Sequence, residues 1–226
     1  MAAVTHEIST ASTSNASSYA SASFTPAVGD LLVVGVVASG TVAAGSVTSS
    51  AGYTFTKITS ALKATSADTL YLFVANQLVT AASAQTVTFD CTGDNATGAV
   101  VNVAAIAGMA RTGASAVRQS GVQSNGAAAA TPTVALGAAA LTGNVMFGLV
   151  GNATSPATMT APSGWTEQND TGYSTPTTGS EYATRNSGFT GSSVAWGSTS
   201  ASAFGAIAAE FDTTALPQRP VVMVCM

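Results

Sequence analysis

The sequence predicts an all-β protein folded as a β-sandwich or jelly roll. Short runs rich in Val, Thr and aromatic side chains recur along the chain, and Gly, Pro, Asn and Asp separate them. No segment keeps its apolar residues at the 3.6-residue period of a helix. The runs also occur twice in a similar order, with Tyr71 matched by Tyr182, which predicts two sequence-related halves.

The clearest strand in each half is a continuous apolar run that follows a turn. Gly29-Asp30 precedes Leu-Leu-Val-Val-Gly-Val-Val, and Gly143-Asn144 precedes Val-Met-Phe-Gly-Leu-Val. Runs without polar alternation are typical of strands that are buried on both faces. We therefore place these two strands at the centres of their sheets.

The remaining strands are predicted from period-2 alternation or from β-branched and aromatic composition. In the first half they cover residues 4–10, 19–24, 53–58, 69–75, 85–90 and 98–108, and in the second half 132–136, 164–167, 181–184, 193–196 and 203–211. Residues 39–52 and 109–130 are predicted to be loops. The Ala run that ends the second loop lies between Gly126 and Pro132, which favours an extended segment over a helix.

A chain of 226 residues suits one large all-β domain or two small ones. We favour a single sandwich domain over residues 1–212, with the related halves at 4–108 and 113–212, because the segment between them has little linker character before Pro132. Two tandem small sandwiches are the alternative. Residues 213–226 are predicted to form an extended C-terminal arm.

The chain carries few charges, with six basic and ten acidic residues. A weakly charged, polar surface suits a protein that is packed against neighbours. So few basic residues argue against nucleic acid as a partner. No apolar run is long enough to cross a bilayer, so we expect no membrane partner. The N-terminus lacks the pattern of a signal peptide, so we expect synthesis in a cytoplasm.

No catalytic, cofactor or metal motif stands out, so we expect a protein that is not an enzyme and needs no cofactor. The nucleophile elbow is absent, and the two cysteines have no metal-ligand spacing. His6 is the only histidine and is expected to form a solvated pair with Glu7. Glu167 and Glu181 would have to face one cleft to hydrolyse a glycoside, and we favour strand-edge and turn acids instead.

Two tryptophans are the candidates for a sugar-stacking platform. When the halves are aligned, Trp165 matches Tyr53 and Trp196 matches Phe89. Aromatic residues at matching positions favour core packing over a ligand site.

The order of these segments resembles the β-sandwich virion proteins of tailed bacteriophages. The likeness is carried by Gly-Asp-Leu-Leu-Val-Val, Gly-Tyr-Thr-Phe-Thr-Lys, Leu-Tyr-Leu-Phe-Val-Ala and Thr-Val-Thr-Phe, and by the second half from Gly-Trp-Thr to Ala-Glu-Phe. It covers residues 4–212. Several members of this class are decoration (cement) proteins on capsid exteriors, often trimers, and others belong to tails or fibres.

The resemblance implies a non-enzymatic virion structural protein, made in the host cytoplasm, that binds the capsid exterior and stabilises the head. Its partner would be the major capsid protein, and it would be a homo-oligomer, with a trimer favoured. The alternative is a carbohydrate-binding adhesin associated with the tail or fibre.

The two ends of the chain supply the candidate arms for contact with partner subunits. The first segment contributes Val4 and Ile8. The apolar tail after the Pro-stiffened segment 216–220 contributes Val221, Val222, Met223 and Val224. This tail is expected either to fold back as an edge strand or to dock on a neighbour.

Overall fold

A computed structural model describes all residues except 41, 43–44, 64–67, 130, 153–158, 175–176, 198–201 and 215–226. The part it describes contains fifteen β-strands and one short 3-10 turn, Gly113–Ala116, so the all-β prediction is confirmed. The first eight strands are β1 (Ala3–Ser12), β2 (Ser18–Ala20), β3 (Leu31–Ser39), β4 (Ser46–Ser49), β5 (Phe55–Lys63), β6 (Asp68–Ala75), β7 (Val87–Asp90) and β8 (Gly98–Ala107). The other seven are β9 (Val117–Ala129), β10 (Thr133–Ala135), β11 (Val145–Asn152), β12 (Thr166–Ser174), β13 (Thr177–Arg185), β14 (Ser193–Ala195) and β15 (Ser202–Phe211).

Each half of the chain forms one large and one small antiparallel sheet. The first half has a five-stranded sheet in the order β1-β8-β3-β6-β5 and a three-stranded sheet, β2-β7-β4. The second half has a five-stranded sheet in the order β9-β15-β11-β13-β12 and a two-stranded sheet, β10-β14. Strand for strand, the two large sheets have the same topology, and the predicted central strands β3 and β11 occupy the centres of both.

The sheets stack in four layers, with the small sheets outside and the large sheets in the middle. Tyr71 and Phe73 on β6 contact Phe89 on β7, so that face of the first large sheet carries the small sheet. The opposite face meets the second half, because a Cβ added to Gly35 would lie 2.8 Å from the ring of Phe147. Successive side chains of β3 point to opposite faces of the sheet, and both faces are covered. Every residue of β3 is therefore buried.

The two halves pack as an isologous pair. β1 packs on β12, and β5 packs on β9. Because β9 is the counterpart of β1 and β12 the counterpart of β5, an approximate twofold axis parallel to the strands relates the halves. β3 and β11 consequently run in the same direction, and equivalent turns of the two halves lie at the same end of the molecule.

Two β-bulges recur at equivalent places. The first interrupts the edge strand that opens each half, at Thr5 in β1 and at Arg118 in β9. The second interrupts the opposite edge strand, at Ile58 in β5 and at Gln168 in β12. A bulge reverses the face on which the following residues lie, so these positions control which side chains enter the core.

Two predicted loops contain strands. The segment predicted as an extended loop, 109–130, contains β9, a strand of 13 residues that pairs with β15. The predicted loop 39–52 contains β4, which pairs with β7. Both are edge strands. β9 is rich in Gly, Ser and Gln, and β4 has one apolar residue, so neither has the apolar pattern of a buried strand.

Both described ends of the chain lie at the end of the molecule where β3 and β11 begin. Residue Ala3 opens β1 beside Ala107, and Phe211 closes β15 beside Val145. Of the predicted C-terminal arm, the structure describes only Thr213 and Thr214. The Thr214 hydroxyl and backbone carbonyl accept hydrogen bonds from the Arg111 guanidinium, and the remainder of the arm lies outside the described residues.

Candidate functional site

The first predicted contact arm is built into the fold. Val4 and Ile8 belong to β1, which pairs with β8, and both side chains are half-buried against the central core. The Val4 backbone N–H donates to Asn186 Oδ1 at 2.9 Å, which ties β1 to the second half. The tail residues of the second predicted arm, Val221, Val222, Met223 and Val224, lie outside the described residues.

His6 and Glu7 do not form the predicted solvated pair. They are consecutive on β1 and therefore point to opposite faces. The His6 ring stacks on Phe24 with ring centroids 5.5 Å apart. The Glu7 carboxylate accepts hydrogen bonds from the hydroxyls of Tyr182 at 3.2 Å and Thr184 at 3.1 Å, across the contact between the halves. Burial raises the pKa of Glu7 above its ordinary value, and these two bonds partly offset the shift.

The tryptophans are core residues, as predicted from their matching positions. Trp196 is 2% exposed and Trp165 is 9% exposed. Both rings pack over Gly148, where an added Cβ would lie 2.8 Å from Trp196 and 3.2 Å from Trp165. The exposed tryptophan that the adhesin hypothesis requires is therefore absent, because the second half uses both rings to fill its core.

The most unusual group of side chains is a row of three carboxylates on β12 and β13, formed by Glu167, Asp170 and Glu181. Glu181 pairs in register with Asp170 on one side and with Val150 on the other. Its side chain has no solvent exposure, and within the part of the chain that the structure describes both carboxylate oxygens lack a hydrogen-bond partner. Buried carboxyl groups in proteins are normally hydrogen-bonded, so this position differs from ordinary surface acids.

The bulge in β12 brings Glu167 and Asp170 to the same face. Residues three apart on a regular strand point to opposite faces. The extra residue at Gln168 places the two acids on the same face. Their partners Ala183 and Glu181 are two residues apart on β13 and lie on that face too. The three carboxylates therefore face the side of the large sheet that carries the small sheet β10-β14.

The first half provides a comparison at the same three positions. Val36 pairs with Tyr71 as Val150 pairs with Glu181, so Tyr71 is the counterpart of Glu181. The counterparts of Glu167 and Asp170 are Lys57 and Ser60. In the first half, the Lys57 ammonium lies 5.9 Å from the centroid of the Tyr71 ring.

The sequence alignment that matched Tyr182 with Tyr71 is therefore wrong by one residue. Tyr182 corresponds instead to Leu72, which pairs with Gly35 as Tyr182 pairs with Leu149. It consequently lies on the face that meets the first half, and its ring centroid is 4.8 Å from that of Phe147 in its own half.

Burial and like charge both act on the carboxylate row. Burial raises the pKa of Glu181 to about 8, and the neighbouring carboxylates of Glu167 and Asp170 add to the shift. Burial also raises the pKa of Asp170, although the Met159 N–H, which donates to it at 3.0 Å, opposes the shift. Glu181 is therefore mostly protonated at neutral pH.

The same geometry keeps Glu181 from acting on a sugar in this conformation, since its carboxyl group has no contact with solvent. Across the described ranges no cavity is found, and no three His, Cys, Asp or Glu side chains converge in a way that could hold a metal ion. The described part also contains no helix long and apolar enough to cross a membrane.

A fourth carboxylate has the opposite environment. Glu210 is fully buried and accepts hydrogen bonds from Arg118 and Gln119, from the Leu141 N–H and from Asn144. Burial alone would raise the pKa of Glu210, but these donors together lower it. Glu210 therefore stabilises the corner where β9, β15 and the turn before β11 meet.

No family model matches the chain, and neither does any protein in the searches of curated proteins and solved structures.

Proposed function

We propose that this chain is a non-enzymatic virion structural protein of a tailed bacteriophage that decorates the capsid exterior and stabilises the head. The observation that carries this proposal is the apolar character of the end where both described chain termini lie, here called the terminal end. Three of the most exposed large apolar side chains belong to it: Met1, Val28 and Leu141.

The position of these side chains follows from the twofold arrangement. Val28 lies in the turn before β3, and Leu141 lies in the equivalent turn before β11. Val28 is 63% exposed and Leu141 is 47% exposed. Apolar side chains at the tips of two turns on one end are well placed to lose their contact with water when a partner binds there.

The rest of the molecule suits the same role. The four-layer body is a rigid support, and its surface carries few charges. Each copy needs only a modest contact with the major capsid protein, because a shell repeats that contact many times. The trimer expected from the resemblance would present three copies of the terminal end. The internal twofold relates two halves of one chain and leaves the symmetry of the oligomer open.

Immunogold labelling of particles from the source tests the proposal. Label distributed over the heads is the expected result. Label confined to the tail end would contradict the capsid role and favour a tail or fibre location, and particles without label would contradict any virion role.

A pair of matched variants then tests the terminal end. The double variant Val28→Ser/Leu141→Ser is expected to lose binding to particles. Leu62→Ser is the control, because Leu62 is 49% exposed but lies at the opposite end of the molecule, beside the β5–β6 hairpin. Equal binding by both variants would show that the terminal end is not the contact surface.

A further inference from the structure

The carboxylate row contains a buried acid for which the described residues supply no hydrogen-bond partner. Glu181 lies on β13, one strand in from the edge of the second large sheet, and its two oxygens make no hydrogen bond. Its counterpart Tyr71 fills the same position in the first half, and the Tyr71 hydroxyl donates to the Val42 carbonyl oxygen. The second half has therefore replaced a satisfied aromatic side chain with an unsatisfied carboxyl group.

We propose that Glu181 is a proton-operated latch on the β12 edge of the sandwich. When it carries a proton, the side chain stays buried and β12 remains paired with β13. When the proton is lost, the charged carboxylate leaves the interior, and β12 separates from β13.

The groups that face Glu181 explain why its charged form is not retained. From β12 it meets the carboxylates of Glu167 and Asp170, which repel a negative charge, and from β11 it meets Val150. The strands of the small sheet, β10 and β14, carry no charged residue. A carboxylate without a counter-charge or donors is strongly unfavourable in a protein interior.

The nearest cation along the same strand is already engaged. Arg185 is on the same face as Glu181, but its guanidinium donates to the carbonyl oxygens of Ser187 and Gly188, each at 2.9 Å. The guanidinium also lies 5.9 Å from the centroid of the Phe189 ring. Neutralising Glu181 would require Arg185 to give up these contacts.

The direction of the pH effect follows from the raised pKa. The folded state holds the proton of Glu181 more tightly than the unfolded chain does. The stability that this proton contributes is complete below the ordinary pKa of 4.5 and is lost as pH rises through about 8. Opening at β12 is the least costly response, because β12 is an edge strand that pairs with β13 alone.

Tryptophan emission provides a direct test on the isolated full-length chain. Trp165 immediately precedes β12 and is 9% exposed, so opening of this edge brings it into water. The wild-type emission is expected to shift to longer wavelength in a transition centred near pH 8. Glu181→Gln keeps the shape of the side chain without the charge, and it is expected to abolish this transition. Every other titrating group is the same in the two proteins.

A second variant keeps the latch testable if Glu181→Gln does not fold. Glu167→Gln removes one like charge from beside Glu181 and is expected to move the midpoint to lower pH. Hydrogen exchange, corrected for its intrinsic dependence on pH, is expected to accelerate in β12 and β13 above the midpoint, and not in β9 and β15. A wild-type protein without the transition, or a Glu181→Gln protein that keeps it, would overturn the proposal, whatever the labelling of particles shows.

Discussion

At the scale of single residues, the two halves fill the same core space with different side chains. In the first half, the positions beneath the small sheet are Val34, Phe73 and Val103, and the centroid of the Phe89 ring lies 6.3 Å from that of Phe73. In the second half, the corresponding positions are Gly148, Ala183 and Ala208, covered by Trp165 and Trp196. Larger rings above are thus matched by smaller residues below, as close packing requires.

This exchange predicts that Gly148→Ala destabilises the protein. The new methyl group would lie 2.8 Å from the Trp196 ring, and the neighbouring wall is aromatic and buried. We expect a loss of about 1–3 kcal/mol in the free energy of unfolding, measured by urea denaturation. Gly143→Ala is the matched control, because a Cβ at Gly143 meets nothing within 4 Å. Equal stability of the two variants would contradict the packing argument.

Glu210 leads to a prediction of the opposite sign from that for Glu181. Its folded-state pKa is lowered, so the stability it contributes is present above the ordinary pKa of 4.5 and is lost as pH falls below it. Glu210→Gln is expected to cost about 2 kcal/mol at neutral pH and to weaken this acid dependence. Asp212→Asn is the control, because its ion pair with Arg111 at 3.0 Å is partly exposed and is expected to contribute less than about 1 kcal/mol. Thermal melts from pH 3 to pH 7 measure both effects.

At the scale of elements, the sequence predicts the buried strands well and the edge strands poorly. β3, β6, β8, β11 and β15 are mostly apolar along their whole length, so composition alone identifies them. β9 is an edge strand with Gln, Ser and Gly at many positions, and such a pattern does not differ from that of a loop. β9 forms because it pairs with β15, which is distant from it in the sequence.

The carboxylate row could not be predicted for a related reason. The spacing of Glu167 and Asp170 indicates opposite faces, and only the bulge at Gln168 brings them together. Bulges have no strong sequence signature when no Gly marks them. Because the sequence alignment matched Tyr182 with Tyr71, it compared Glu181 with Leu70, whereas its structural counterpart is Tyr71. The match of Trp165 with Tyr53 is also displaced, by two residues, because Glu167 is the counterpart of Lys57. Both tryptophans were still predicted as core residues, because aromatic side chains occur in the corresponding segments of the first half.

The element β1 predicts a test of the N-terminal arm. A true arm could be deleted without loss of the fold. Because β1 pairs with β8 and Glu7 bonds to the second half, deletion of residues 1–12 is expected to yield insoluble or unfolded protein. Ala11→Ser, at an exposed position of β1, is expected to change stability by no more than about 0.5 kcal/mol. Circular dichroism and size-exclusion chromatography measure the outcome, and a folded truncated protein would support the hypothesis of an N-terminal arm.

At the scale of the whole molecule, the contact between the halves is a continuous core. Leu70 contacts the region of Gly205, and Phe147 and Leu149 pack on Gly35. Each half alone would expose a complete face of its large sheet, which is far more apolar surface than a soluble monomer normally presents. The halves therefore depend on each other for solubility although each has its own sheets.

This dependence predicts the behaviour of a divided chain. Residues 1–112 and 113–226 expressed separately are expected to aggregate. Expressed together, they are expected to form a soluble one-to-one complex that elutes at the volume of the intact protein. Changing Gly35 to Val in the first fragment is expected to prevent assembly, because its Cβ alone would lie 2.8 Å from the Phe147 ring. Soluble, monomeric halves would contradict the shared core.

The approximate twofold axis also bears on how the two halves are able to diverge. In a dimer made from one gene, every substitution appears on both sides of the axis, so an acid placed at one site is placed at two. A single chain that contains both halves is free of that constraint. The first half has Tyr71 beside Lys57, whereas the second half has Glu181 beside Glu167 at the equivalent positions. A homodimer could not encode this difference. One half can thus hold the architecture while the other acquires new chemistry.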